Sequence, residues 1–358
     1  MKKYLIIGLI IIVGVALLVV PLINDNGGND GQEDEAVAAF AFEDNLAVRW
    51  NQTIPVEIMV KDGVTKLELF YNDSLFNVWN NPKGTVSYNF NAAFFGLGTR
   101  SLVLMATLED GTQFTDNRLV RVLSDVKPEI WIAQVAGTKP HLSTSFTQGL
   151  EFNNGTLYEG TGQFGQSVVA IVDLETGQHK KKIGLDGNYF GEGITILDDK
   201  VYQITWQQQR CFVYDKTTLE LIKDMNYTGE GWGICNNGEE LIMSDGTERV
   251  TFRDPETFQI QRTIEVYDDR GPITKLNELE YIDGLIYANV WMTNSVVVIQ
   301  PENGKVIAVI DGSELIKEGR NGGDVMNGIA LDQKTNKLYM TGKNWNKLIE
   351  VSLKKPNV

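Results

Sequence analysis

Gln148-Gly149-Leu150-Glu151-Phe152, Glu192-Gly193-Ile194-Thr195-Ile196, Trp232-Gly233-Ile234-Cys235-Asn236, Asn277-Glu278-Leu279-Glu280-Tyr281 and Asn327-Gly328-Ile329-Ala330-Leu331 are five versions of one pattern. Each is followed by a second strand-like piece containing Tyr158, Tyr202, Ile242, Tyr287 or Tyr339. Counted from the second residue of each repeat, the spacings are 44, 40, 45 and 50 residues. A period of roughly 40 to 50 with several short strands per unit marks propeller blades. After Asn327 only three strand-like pieces remain, Gly328 to Leu331, Lys337 to Thr341 and Lys347 to Ser352, so a four-stranded last blade needs one more. Glu129 to Ala136, just ahead of the first repeat, is free to supply it as an outer strand that closes the ring.

Outward from the repeats the texture changes. Alternating runs at Pro55 to Val60, Lys66 to Tyr71, Thr85 to Asn89, Ser101 to Leu108 and Leu119 to Leu123 are separated by turn clusters such as Asp62-Gly63 and Asn80-Asn81-Pro82. That spacing predicts a small immunoglobulin-like sandwich, in which no chemistry is visible. At the front, Lys2 and Lys3 precede the uncharged segment Tyr4 to Ile23, followed by Asp25, Asp30, Glu33, Asp34 and Glu35. Twenty apolar residues suffice to cross a hydrocarbon layer of about 30 Å as a helix. The charge asymmetry places the body outside the cytoplasm. An uncleaved anchor is preferred here over a cleaved signal peptide, because the apolar stretch is long and no small-x-small site follows it.

The expected organisation is therefore all-β: residues 1–24 a membrane anchor or signal segment, 25–38 a flexible linker, 39–125 the sandwich, and 128–354 a five-bladed β-propeller. The 35 glycines against 9 prolines suit turns and strands. A formal net charge of -15 argues against a nucleic-acid partner, which needs clustered cations. The run Lys180-Lys181-Lys182 is read as a solvated turn. Cys211 and Cys235, in strand-like runs of neighbouring blades, are read as buried thiols.

In a propeller the first strand of each blade lines the channel, and its leading residue lies on one rim. Those residues are Gln148, Glu192, Trp232, Asn277 and Asn327. The second strands return to the same rim at Gly162, Trp206, Gly246, Trp291 and Lys343. With only two histidines, His141 and His179, a zinc site or a histidine-activated nucleophile is disfavoured, and acid-base work falls to a carboxylate. Glu192, among apolar rings, would have its pKa raised by desolvation and could move a proton near neutral pH. The rival roles are structural. Glu192 could bridge backbone amides or pair with Lys343, Glu230 in Gly229-Glu230-Gly231 is read as structural, and Asp245, Glu278 and Glu280 could hold the channel together or bind a structural calcium ion.

The strings Phe146-Thr147-Gln148-Gly149-Leu150, Phe190-Gly191-Glu192-Gly193, Gly229-Glu230-Gly231-Trp232-Gly233, Ser244-Asp245-Gly246-Thr247, Leu276-Asn277-Glu278-Leu279-Glu280-Tyr281, Ala288-Asn289-Val290-Trp291 and Thr341-Gly342-Lys343 resemble the plant and bacterial glutaminyl cyclases. The resemblance spans about Trp131 to Val351. It implies a five-bladed propeller that converts the N-terminal glutamine of peptides and proteins to pyroglutamate with release of ammonia, with no cofactor required. On that expectation Glu192 is the proton shuttle. Asn277, Gln148 and Lys343 orient the amide or stabilise the oxyanion, and Phe146, Phe190, Trp206, Trp232 and Trp291 form the substrate walls. The anchor and the sandwich lie outside the resemblance. Two other classes stay open: a non-catalytic surface-binding propeller, and a calcium-dependent propeller lactonase or hydrolase.

Overall fold

The computed structural model describes residues 36–71 and 74–355. The apolar segment Tyr4 to Ile23 lies outside them, and among the described residues no helix is long and apolar enough to cross a membrane. Strands dominate, with two short helices, Ala92–Phe95 and Ser313–Gly319, among the described residues.

Between Ala38 and Leu123 a three-stranded sheet (Ala38–Phe40, Thr53–Val60, Gly84–Asn91) and a five-stranded sheet (Leu46–Arg49, Gln113–Leu123, Gly98–Leu108, Val64–Tyr71, Ser74–Asn80) share one apolar core. The alternation in the sequence is what fills it: Val56 and Ile58 point in from one sheet, Leu67, Leu69, Leu102, Leu104, Val120 and Val122 from the other. Ala38–Phe40 and Leu46–Arg49 are absent from the sequence expectation because three or four residues are too few to display a period of two. Ser74–Asn80 is an edge strand whose side chains are half-buried or exposed, so no clean alternation marks it.

From Glu129 onward the sheets are propeller-like. Three consecutive four-stranded antiparallel sheets begin at Thr147, Gly191 and Ile234, and a fourth set of strands runs from Leu276 to Asp311. The fifth set, Met326–Asp332, Lys337–Gly342 and Lys347–Lys354, is completed by Glu129–Pro140, which pairs antiparallel with Lys347–Lys354. This early strand does more than supply an outer edge: Glu129 to Ile132 also pairs in parallel with Ala308 to Asp311, joining the fourth and fifth sets into one eight-stranded sheet.

The repeated residues explain the ring. The second-strand marker of each unit is buried with the inner strand of the next: Tyr158 with Ile194 and Ile196, Tyr202 with Ile234, Ile242 with Leu276 and Leu279, Tyr287 with Ile329, and Tyr339 with Leu150 and Phe152. The fifth interface returns to the first unit, so no apolar face is left over. Inner strands approach so closely that a Cβ on Gly233 would lie 1.9 Å from the carbonyl oxygen of Asn277. Only glycine fits there. The fourth repeat carries Glu278 at this position, and its carboxylate reaches the backbone N–H groups of Leu150 in the first unit and Ile329 in the fifth.

From Val37 onward the described residues form one compact unit. Within it Arg100 pairs with Glu265 at 2.9 Å, Lys305 with Asp125 at 2.7 Å, and Tyr267 is buried in the core of the first two sheets.

Candidate active site

The leading residues of the inner strands do not follow the ladder. Strand register shifts between Thr147 and Gly149, Gly191 and Ile194, Leu276 and Leu279, and Met326 and Ile329. Gln148, Glu192, Asn277 and Asn327 sit in these irregularities. A bulge re-aims the side chains it contains, and here it turns Gln148, Glu192 and Asn277 toward a common mouth.

All nine residues expected at the site line one cavity of about 420 Å³: Gln148, Glu192, Asn277 and Lys343 with the rings of Phe146, Phe190, Trp206, Trp232 and Trp291. Met292 and Asp324 complete the wall. Gln148, Glu192, Asn277 and Lys343 are deeply buried, each ring is half-buried at the opening, and Met292 and Asp324 are exposed at its edge. Asn327, the fifth leading residue, is not on the wall. It stands behind it, donating from Nδ2 to the carbonyl oxygen of Thr147 at 3.0 Å and to Oε1 of Gln148 at 3.2 Å. Gln148 is thereby held by its oxygen, and its amide nitrogen is left to donate.

Glu192 has neither a hydrogen bond nor an ion pair among the described residues, so neither structural role weighed for it is seen. Burial pushes its carboxyl well above the ordinary value of 4.5; the Lys343 charge opposes this and the Glu230 charge adds to it. Lys343 is pulled the other way, its ammonium pKa lowered by burial against the attraction of Glu192 and Asp324. Its Nζ lies 4.8 Å from the centre of the Phe146 ring, without a hydrogen bond. Asn277 Oδ1 is also buried without a partner. Unpaired buried polar groups cost about 1–3 kcal/mol each. Such groups concentrated in one hole are what a polar ligand would satisfy.

The walls are fixed from outside the cavity. Glu230 accepts hydrogen bonds from Trp206 Nε1 at 2.8 Å, Trp232 Nε1 at 2.9 Å and Gln207 Nε2 at 2.8 Å, clamping two indoles together. Burial would raise its pKa, but these three donors bring it below the usual value. Trp232 meets Trp291 edge to face at 5.5 Å, and Phe190 meets Trp206 at 5.8 Å and Phe146 at 6.2 Å. Gly246, at φ +80, leaves room for Trp232, whose ring would lie 2.5 Å from a Cβ there.

Sequence reasoning missed Met292 and Asp324, and it read Glu230 as structural without seeing what it holds. Asp324 precedes the fifth repeat by three residues, and only the pairing of its N–H with the Lys343 carbonyl, at 2.7 Å, brings it to the rim. Met292 reaches the rim through a turn with φ +66, which no local signal announces. For Glu230 a signal existed, since Gly229-Glu230-Gly231 repeats the local pattern around Glu192. The residues offered as a calcium cage are not gathered into one. Asp245 is engaged by Thr247 and Arg249, while Glu278 and Glu280 accept from backbone amides. Cys211 and Cys235 are buried free thiols.

The sequence model described as "Glutamine cyclotransferase" matches residues 103–353. The chain is 38% identical over 237 residues to an Arabidopsis thaliana protein named glutaminyl-peptide cyclotransferase, an alignment covering 64% of this chain and 74% of that one. The crystal structure of Myxococcus xanthus glutaminyl cyclase superposes with a TM-score of 0.61 at 34% identity, covering 64% of this chain and all of that one. Fold, cavity and sequence agree, and the chain belongs to the glutamine cyclotransferase family.

Proposed function

We infer that the protein is a glutaminyl-peptide cyclotransferase and that the aromatic-walled cavity is where it works. The observation that carries the site assignment is Glu192: a buried carboxyl without a partner, beside an unpaired lysine and two carboxamides, under five aromatic rings. In the reaction the α-amine of an N-terminal glutamine attacks the carbon of its own γ-carboxamide. A C–N bond forms, the carbonyl oxygen takes up negative charge, and the C–NH₂ bond then breaks to release ammonia and leave a five-membered lactam.

The nucleophile is tethered to its electrophile, so much of the task is holding the side chain folded back. The rings of Phe146, Phe190, Trp206, Trp232 and Trp291 do this and exclude water. Glu192 takes the proton that the amine sheds and returns one to the departing nitrogen. A carboxyl pushed upward by desolvation is suited to both halves of that exchange. Gln148 Nε2, Asn277 Nδ2 and Lys343 Nζ supply donors for the developing oxyanion. Loss of one such donor typically costs about 10²- to 10³-fold in rate.

The finer architecture we propose is a five-bladed propeller behind an immunoglobulin-type sandwich. Tyr4 to Ile23 would serve as an uncleaved anchor that keeps the enzyme on the outer face of a membrane. The chemistry is written with side chains alone, and no calcium ion enters it. Incubating the protein with a Gln-initiated peptide tests the activity: the peptide should lose the mass of one ammonia and become resistant to Edman degradation. No mass change would overturn the proposal. Retention of the full-length chain in carbonate-washed membranes, with the body open to external protease, tests the anchor.

A further inference from the structure

A second cavity, of about 570 Å³, opens beside the first. The two share Phe146 as a common wall. Gly162 lines the second cavity and touches the first from behind, since a Cβ there would lie 2.5 Å from Phe190 and 3.0 Å from Gln148. Asn344, on the second cavity, follows Lys343 directly. A chain held by its first residue in one hole therefore has the other as its nearest continuation.

The second cavity is built to meet a polar chain. Its rim is the turn 162–166, pinned by the N–H groups of Gln166 and Ser167 on the Gln163 carbonyl, both at 3.0 Å, with Gln163 at φ +91. The side-chain amides of Gln163 and Gln166 have no partner among the described residues. Phe164, in the same turn, is 52% exposed and packs edge to face on Phe190 at 5.4 Å. Its floor is rigid: Ser145 and His179 both line the cavity, and both are fixed on the buried Glu159 carboxylate at 3.0 and 3.1 Å.

One cation faces this space unpaired. The lysine run expected to be a solvated turn forms, with His179, the outer strand His179–Gly184 of the first unit. Lys180 is paired with Asp173 at 3.0 Å and Lys181 donates to the Thr217 carbonyl at 3.1 Å. Lys182 lines the cavity with neither an ion pair nor a hydrogen bond among the described residues. On a chain with a formal net charge of -15, an unpaired lysine in a concave site is a local exception.

We propose that this second cavity binds the residues that follow the N-terminal glutamine, and that Lys182 favours substrates with a carboxylate one or two residues downstream. At about 3.3–3.6 Å per extended residue, the second and third residues of a peptide seated in the first cavity reach it. The proposal rests on the cyclase reading, so its test must separate the two.

Three substrates do so: Gln-Ala amide, Gln-Ala-Asp-Ala amide and Gln-Ala-Lys-Ala amide, each followed by ammonia release. The Asp peptide should exceed the Lys peptide in kcat/KM by about three- to tenfold at low salt, a margin typical of one partly screened charge pair, and the margin should shrink as salt is added. Lys182→Glu should reverse the order while leaving Gln-Ala amide turnover unchanged, which also reports that the variant is folded. Equal kcat/KM for the two longer peptides, or an order unaltered by Lys182→Glu, overturns the subsite but not the enzyme. Absence of turnover with Gln-Ala amide overturns both.

Discussion

The inner strands treat buried glutamates on the cavity wall and off it in opposite ways. Off the cavity wall, Glu151 accepts from Thr195 Oγ1 at 2.6 Å and from the Ile196 amide at 3.1 Å, Glu278 from the amides of Leu150 and Ile329, and Glu280 from that of Leu331. Each ties its own inner strand to another unit. At the mouth Glu192, on the same kind of strand and as deeply buried, accepts nothing. Burial pushes the pKa up in both sets, and off the wall the carboxylates also push one another. Depth and pKa therefore do not separate a tie from a working acid. Hydrogen-bond satisfaction does, because a carboxylate already accepting from backbone amides is held as an acceptor, whereas one with every lone pair free is open to a ligand's proton.

That contrast can be broken most sharply at Glu192. Glu192→Gln keeps the size and removes the exchangeable proton, and it should lower kcat by about 10²- to 10⁴-fold, the range for a lost general acid-base group. With no partner to orphan, the variant should melt no lower than the parent. Ammonia release and a thermal melt together check this. Near-normal turnover would remove the shuttle.

Glu278→Ala is the mirror experiment. It strips two buried N–H groups of their acceptor, each loss costing about 1–3 kcal/mol, so denaturant midpoints should fall by the equivalent of about 2–6 kcal/mol. Turnover per folded molecule should stay near that of the parent. A stable but inactive Glu278→Ala protein would show that this tie is not merely structural.

How far this contrast could be foreseen follows from what each feature depends on. The ring was legible because the repeat is local: a small residue, an apolar strand and a buried tyrosine recur at intervals set by one unit. The leading residue of each repeat was legible for the same reason, and four of the five meet at one cavity, with Asn327 standing behind its wall. Asp324 and Met292 on the cavity and Glu230 behind it were not foreseen because their roles depend on partners elsewhere in the chain or on a turn, such as the indole of Trp206 beside Glu230, 24 residues away. The second cavity was invisible for a stronger reason. His141 and His179 looked unconnected in sequence, and only folding sets both on Glu159, where the charge of His141 and the surrounding hydrogen bonds outweigh burial and hold that carboxyl well below its usual range.

Smaller effects should come from the charges that flank Glu192, and their signs differ. The carboxylate must be ionised to accept the amine proton, so kcat/KM rises with pH through the Glu192 pKa. Lys343 lowers that pKa. Lys343→Met should therefore move the acid limb to higher pH, on top of the loss of about 10²- to 10³-fold from the missing oxyanion donor.

Glu230 acts on Glu192 in the opposite sense, its negative charge helping to hold the proton on. Glu230→Gln removes the charge but keeps one oxygen for the two indole N–H groups. The acid limb should move to lower pH, with a loss of only a few-fold at the plateau, on the order of one weakened charge-assisted hydrogen bond. Ionisation of the peptide's own amine is common to all variants, so the displacement between profiles reports Glu192 alone. Glu230→Ala separates charge from clamp: it should show the same displacement but raise KM further, because Trp206 and Trp232 lose their shared acceptor. If Glu230→Gln leaves the profile in place while Glu230→Ala disables binding, Glu230 serves the walls only, and the upward push on Glu192 comes from burial without help from its neighbour.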